Sequence, residues 1–200
     1  PRQVKLLLNT HEHMDHAGGL AGLQRETGAP LLARGPAVAT LRGGSSDRED
    51  PQFGELTGFP PVGDVRTLGD GEVVRLGTLA LASHATPGHA PGGTSWTWRS
   101  CEGTRCLDIA YVDSHSALTD GVYRFSDHPD YVAAFQRSID VVETLRCDLL
   151  ITPHPAASNL HARFNGDAPL VDPAACKAFA ANARANLAVR LADERKGTAP

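Results

Sequence analysis

His11-Glu12-His13-Met14-Asp15-His16 crowds three imidazoles and an aspartate into a run that suits metal coordination. Imidazole nitrogen and carboxylate oxygen are ligands for a borderline divalent cation such as Zn²⁺, at roughly 2.0–2.2 Å, and no thiol is needed. The apolar run before it (Val4, Leu6, Leu7, Leu8) reads as a buried strand, and Gly18-Gly19 opens a helix-like segment. The motif therefore sits on a strand-to-helix turn. In extended backbone, side chains two apart share a face, which puts His11, His13 and Asp15 on one side, and a bend at Gly18 brings His16 beside them. One ion cannot take all four groups from so short a segment without strain. Two metals, each completed by distant histidines, is the economical expectation.

Those residues need a scaffold. The chain of 200 residues with 41% hydrophobic content fits a single domain, 1–200, with a sizeable core. A net charge of -4 gives no basic stripe for nucleic acid, and no apolar run approaches the ~18 residues of a membrane span. Pro1-Arg2-Gln3 leads straight into the first strand, so an N-terminal portion is expected to be missing. Cys101, Cys106, Cys147 and Cys176 lack zinc-knuckle spacing, and disulfides are the better reading. Cys101 and Cys106 flank the Glu102-Gly103 turn signal and face each other across a hairpin, which leaves Cys147 with Cys176. Disulfides imply an oxidising compartment, periplasmic or secreted; the alternative is four buried reduced thiols in the cytosol.

Strand-like and helix-like segments alternate along the chain. A short helix around Leu20 and Leu23 ends at Gly28; Leu31 to Ala33 reads as a strand, and Pro36 to Leu41 as a further helical turn. Asp47 to Val65 is polar and proline-rich, a functional-loop candidate that Phe53 and Phe59 pack down. Val73 to Ala85 reads as a hairpin around Gly77, running into Thr86-Pro87-Gly88-His89. Ser95 to Trp98 and Leu107 to Val112 are strands joined by the cysteine-bearing turn, and Leu149 to Ile151 is a third. Pro129 to about Arg146, and an alanine-rich stretch after Asp172-Pro173, are helices. Such alternation is an α/β layered domain.

His11-Glu12-His13-Met14-Asp15-His16, Thr86-Pro87-Gly88-His89 with Pro91-Gly92-Gly93-Thr94-Ser95-Trp96, and Thr152-Pro153-His154-Pro155 together resemble the three metal motifs of the metallo-β-lactamase superfamily. Asp50-Pro51-Gln52-Phe53-Gly54, Tyr111-Val112-Asp113-Ser114-His115-Ser116 and the cysteine pairs are similar to the third subclass of class B β-lactamases. The resemblance implies a four-layer αββα sandwich (α/β, or α+β) whose first sheet lacks its N-terminal strands. It implies two Zn²⁺, one on His11, His13 and His89 and one on Asp15, His16 and His154. Ser114 and Ser116 would bind the substrate carboxylate, a role suited to hydroxyl donors. In related hydrolases an aspartate near Asp113 bridges the metals; here Asp113 is read as structural, hydrogen-bonding the strand end.

The implied function is zinc-dependent hydrolysis of the β-lactam amide bond, conferring antibiotic resistance, by a monomer whose partner is a small-molecule β-lactam. Two divalent ions, ionised Asp15 and one hydroxide sum to a formal charge of about +2, which draws anions and stabilises developing negative charge. Asp15 is the catalytic candidate because it can orient the attacking solvent as well as ligate. Competing readings are a lactonase or a glyoxalase II-like thioesterase on the same scaffold, or an inactive metal-binding fragment. Among the remaining histidines, His84 is a supporting group, His115 and His161 are groove candidates, and His128 belongs to the surface; Trp96 and Trp98 fill packing space.

Overall fold

The computed structural model describes residues 3–197; Pro1 and Arg2, where the sequence begins, lie outside them. Strands β1 (Leu7–Leu8), β2 (Leu31–Arg34) and β3 (Val65–Leu68) form one sheet, all parallel, in that order. Parallel neighbours need crossovers, and helices α1 (Met14–Ala17), α2 (Leu20–Thr27) and α3 (Gly35–Gly43) provide them. Strands β4 (Val73–Leu76), β5 (Leu79–Ala85), β6 (Thr94–Glu102) and β7 (Arg105–Tyr111) make an antiparallel meander. After α4 (Pro129–Thr144), β8 (Leu149–Ile151) adds parallel to β7. Helices α5 (Leu160–Asn165) and α6 (Ala175–Lys196) complete the order.

The strand alternation sorts side chains into three apolar layers. Leu7, Leu31, Ala33 and Val65 pack outward on Ala17, Leu20, Ala37 and Leu41 of the first helices. Leu6, Leu8, Leu32 and Leu68 turn inward and meet Val74, Leu81, Trp96, Trp98 and Tyr111 of the second sheet. Ala110, Val112 and Leu150 face away from the first sheet, against Phe135, Ile139, Ala180 and Leu187 of α4 and α6. Helix, sheet, sheet, helix is the four-layer sandwich that the resemblance implies. Trp96 and Trp98 do fill packing space, and Trp96 Nε1 also donates to Asn9 O at 2.9 Å, tying the end of β1 to the second sheet.

Three local expectations need correcting. The turn after β1 becomes helical at Met14, with His13 still extended as its N-cap, so Asp15 and His16 sit on α1 and no bend at Gly18 is needed. Val65 opens strand β3 and does not close the irregular loop. The helix at Leu160–Asn165 has no counterpart in the sequence reading. Both disulfides form: Cys101 and Cys106 are register partners across the hairpin, and Cys147, after α4, joins Cys176 in the first turn of α6.

Cys147–Cys176 closes 29 residues, for which chain-entropy reasoning gives between about 3 and 4 kcal/mol. Replacing both cysteines by serine is expected to lower urea-unfolding stability by about that amount under oxidising conditions. An unchanged midpoint would show that the bridge adds nothing.

Candidate metal centre

The carboxyl ends of β1, β7 and β8 and the β5–β6 connection meet at one rim of the sandwich, which is where open α/β sheets present functional loops. From β1 come His11 and His13; from the β5–β6 connection comes His89; from beyond β8 comes His154. Gly88 (φ 149°) permits the tight approach of the His89 loop, because a Cβ there would lie 2.2 Å from the Phe135 ring. Gly92 is constrained similarly: a Cβ would meet Glu12 Oε2 at 2.3 Å, and its N–H donates to Glu12 Oε1 at 2.7 Å. That bond joins the loop carrying His89 to the segment carrying His11 and His13.

His11, His13 and His89 form a buried cluster with donor atoms within 4.8 Å of one another. Each ring is oriented by its outer nitrogen. His11 Nδ1 donates to Asp113 Oδ1 at 2.8 Å, His13 Nε2 to Asp50 Oδ2 at 2.9 Å, and His89 Nδ1 to Ser116 O at 3.1 Å, with Ser116 Oγ at 2.8 Å. Partners on the outer nitrogen fix tautomer and ring direction in metal sites. His11 Nε2, the nitrogen left facing the cluster, is buried with no hydrogen-bond partner. A buried imidazole lone pair without a partner fits a cation.

Asp15, His16 and His154 converge beside this cluster. His16 Nε2 lies 3.1 Å from Asp15 Oδ2 and 3.1 Å from His154 Nε2, and His154 Nε2 lies 3.5 Å from Asp15 Oδ2. Donors on a tetrahedral zinc stand roughly 3.3–3.6 Å apart; one spacing falls in that range and the other two lie just under it, within a small adjustment of one shared ion. The two sets differ in exposure: the histidine cluster is buried, whereas Asp15 and His154 are 61% and 55% exposed. The six groups thus make a closed pocket for a metal next to an open one, and the residues present fit metal binding.

Electrostatics keeps most of these donors ready. Burial, then the nearby His11, pushes His16 down to about 4, and burial with His11 and His13 pushes His89 down to about 3, so both rings are neutral at pH 7. Burial also opposes charge on His11, but the Asp113 carboxylate outweighs it and holds His11 above the ordinary histidine value. The same bond holds Asp113 below the usual carboxylate range against its own burial. Burial disfavours ionisation of Asp15, and the adjacent His16 overcomes this and lowers it.

The structure also places the remaining candidates. Asp113 is structural, as expected: just past the end of β7 its N–H donates to Ser95 Oγ at 3.0 Å, and its Oδ1 also holds His11 Nδ1 at 2.8 Å. His115 lines the cavity beside the site, as expected, and is held there, with Nδ1 donating to Asp113 O at 2.9 Å and Nε2 3.2 Å from Ser138 Oγ. His161 is exposed on α5, outside the cavity beside the site. His84 bonds Thr97 Oγ1 on the neighbouring strand at 2.8 Å, a supporting role, and half-buried His128 stacks on Tyr123 at 4.3 Å. Asp50 was visible only within a motif, because nothing local announces a partner 37 residues away. A cavity of about 430 Å³ adjoins the site, lined by Ser114, Ser116, Thr152, His154, Phe179 and Asn182 among others.

Two facing sheets, helices outside and a histidine–aspartate centre at one rim define a metallo-hydrolase type of sandwich. The chain belongs to the metallo-beta-lactamase superfamily, whose family model matches residues 1–154. Among solved structures it is similar to metallo-beta-lactamase MIM-1 from Novosphingobium pentaromativorans, with 46% identity and TM-score 0.95 over 100% of this chain and 73% of that one. Against SMB-1 bound to 2-mercaptoethanesulfonate the figures are 47% and 0.92, covering 96% and 76%. Against MEM-A1, a subclass B3 enzyme from a soil metagenome library, they are 41% and 0.93, covering 98% and 77%. A curated relative, the hydroxyacylglutathione hydrolase of Anaeromyxobacter dehalogenans, is 36% identical over 92 residues, 46% of this chain and 28% of that protein. The chain spans between 28% and 53% of the first curated relatives that it matches.

The shifts set a pH dependence for the metal-free protein. His16, His84, His89 and His115 all titrate lower in the folded chain than the ordinary 6.5, so the unfolded chain binds more protons below that pH. The stability they contribute is present above pH 6.5 and lost as pH falls toward 4; His11 and the buried Glu12, both raised, act oppositely but are outnumbered. Urea midpoints of metal-free protein should therefore fall between pH 7 and pH 5. A midpoint that rises would contradict the neutral-donor assignment.

Proposed function

We propose that the chain hydrolyses the β-lactam amide bond with two zinc ions, one held by His11, His13 and His89 and the other by Asp15, His16 and His154. The observation carrying this reading is the pair of adjacent donor sets, one buried and one open, in a chain similar along nearly its whole length to subclass B3 metallo-beta-lactamases. Two bound zinc ions supply Lewis acidity and a solvent nucleophile at neutral pH, so no serine or cysteine nucleophile is required. Consistent with that, both cysteine pairs are locked in disulfides.

The chain's own residues do the rest. Asp15, kept ionised and largely exposed, would use its carboxylate to orient the attacking solvent. His89 Nδ1–H must donate to Ser116 O, which can only accept, so the Ser116 hydroxyl also accepts at that edge and keeps its own proton for an incoming carboxylate. Ser114 lines the same cavity and supplies a second donor. About 430 Å³ lies within the range of small-molecule sites and accommodates a bicyclic antibiotic.

All six ligands come from one chain, which supports a monomer. The two disulfides support a periplasmic or secreted location, and no helix among the described residues is long and apolar enough to cross a membrane. Such an enzyme confers resistance to β-lactam antibiotics.

Zinc-loaded protein is expected to turn over nitrocefin, and His13→Ala to lose both metal and turnover while the circular dichroism of the sheets persists. Ser114→Ala should raise KM about tenfold, as removal of a charge-assisted hydrogen bond does, and leave zinc content unchanged. A lactone and a thioester panel runs alongside. Thioester turnover without nitrocefin turnover would overturn the β-lactam assignment.

A further inference from the structure

The connection between α3 and β3 serves the metal centre although residues 44–64 carry no helix or strand. It places Asp50 on His13 at 2.9 Å and Gln52 Nε2 3.4 Å from both ring nitrogens of His89. Phe59 N–H on Gly44 O at 2.8 Å and the buried Phe59 and Val62 hold its far end, and Gln52 N–H on Asp50 Oδ1 at 2.9 Å braces it internally; what ties its middle to the facing segment is a carboxylate. Asp120, with its side chain 1% exposed, accepts N–H bonds from Val122 at 2.9 Å and Tyr123 at 2.8 Å on Oδ1. Its Oδ2 accepts the Gly54 N–H at 2.9 Å and Arg48 Nη1 at 3.1 Å, and its own N–H donates to Pro51 O at 2.9 Å. The approach is close enough that a Cβ on Gly54 would lie 2.7 Å from Oδ2.

Each oxygen has a separate task. Oδ1 closes the turn in its own segment, which continues from Ser114 and Ser116, while Oδ2 reaches across to the segment that carries Asp50 and Gln52. We infer that Asp120 is a positioning residue that latches residues 47–59 onto residues 114–123 and thereby fixes Asp50 on His13 and Gln52 beside His89. It touches neither metal ligand nor substrate; it acts through Asp50. The inference rests on the zinc-site reading above and extends it to a residue two contacts from the metal.

The two-oxygen division supplies the test. Asp120→Asn keeps one oxygen for the Val122 and Tyr123 N–H groups but turns an NH₂ toward Gly54 and Arg48, cutting the latch while sparing the turn. In the full chain, three readouts are compared with wild type: amide exchange at Gly54, the His13 Nε2–H proton in zinc-free protein by ¹⁵N-edited NMR, and stepwise zinc affinity against a competing chelator. The expected result is exchange at least tenfold faster, loss of the protected His13 proton, and roughly a tenfold fall in affinity at the three-histidine set alone, as for loss of an outer hydrogen-bond partner. Gly54→Ala, whose Cβ would crowd Oδ2 and break the same contact from the loop side, should reproduce all three, and it decides the matter should Asp120→Asn not fold. Faster Gly54 exchange with an intact His13 proton and unchanged zinc affinity would reduce Asp120 to a structural anchor and overturn the inference, as would unchanged Gly54 exchange. Failure of wild-type protein to hydrolyse nitrocefin would overturn the β-lactam reading, while the His13 proton and zinc readouts would still judge the latch.

Discussion

Donor atoms that share a metal must first tolerate one another. Lone pairs on five imidazoles and an aspartate point into one small region, an arrangement that repels itself unless a cation sits there or rigid neighbours hold the groups in place. The structure supplies the rigidity from behind: Asp113, Asp50 and Ser116 each take the outer nitrogen of one histidine in the buried cluster. Burial supplies the charge state, keeping His16 and His89 neutral so that no proton competes for the donor position at pH 7.

The sandwich follows from the same requirement. The buried cluster draws on both halves of the fold, with His11 and His13 at the end of the first sheet and His89 between strands of the second. The halves must therefore be fastened near the site, and buried polar contacts do this. Glu12 takes the Gly92 N–H, Trp96 donates to Asn9, and Thr94 N–H donates to Thr10 O at 2.7 Å. The inward leucines and tryptophans between the sheets bring the halves together, and these directional bonds set their register. The open set is built differently, from one turn of helix and one exposed loop, which leaves it accessible from outside.

What the sequence disclosed divides along the same line. The histidine motif, the hairpin with its cysteines and the long helices depend on local spacing, and all three are legible. Strand β3 escaped because Val-Arg-Thr-Leu buries only its ends, with no alternation to betray it. Helix α1 is a single turn, shorter than any window in which helical periodicity shows. The roles of Asp50 and Asp113 were hidden for another reason: each bonds a histidine 37 or 102 residues away, and an isolated aspartate gives no hint of which distant ring it will support. The motifs name candidate ligands; only the fold names what holds them.

The central claim is that two ions share this rim, and anomalous diffraction from zinc-soaked crystals at the zinc edge tests it most directly. Two peaks are predicted, one within bonding distance of roughly 2.0–2.2 Å of His11, His13 and His89, the other of Asp15, His16 and His154. A single peak, or peaks that leave any of those six groups unbonded, would contradict the account.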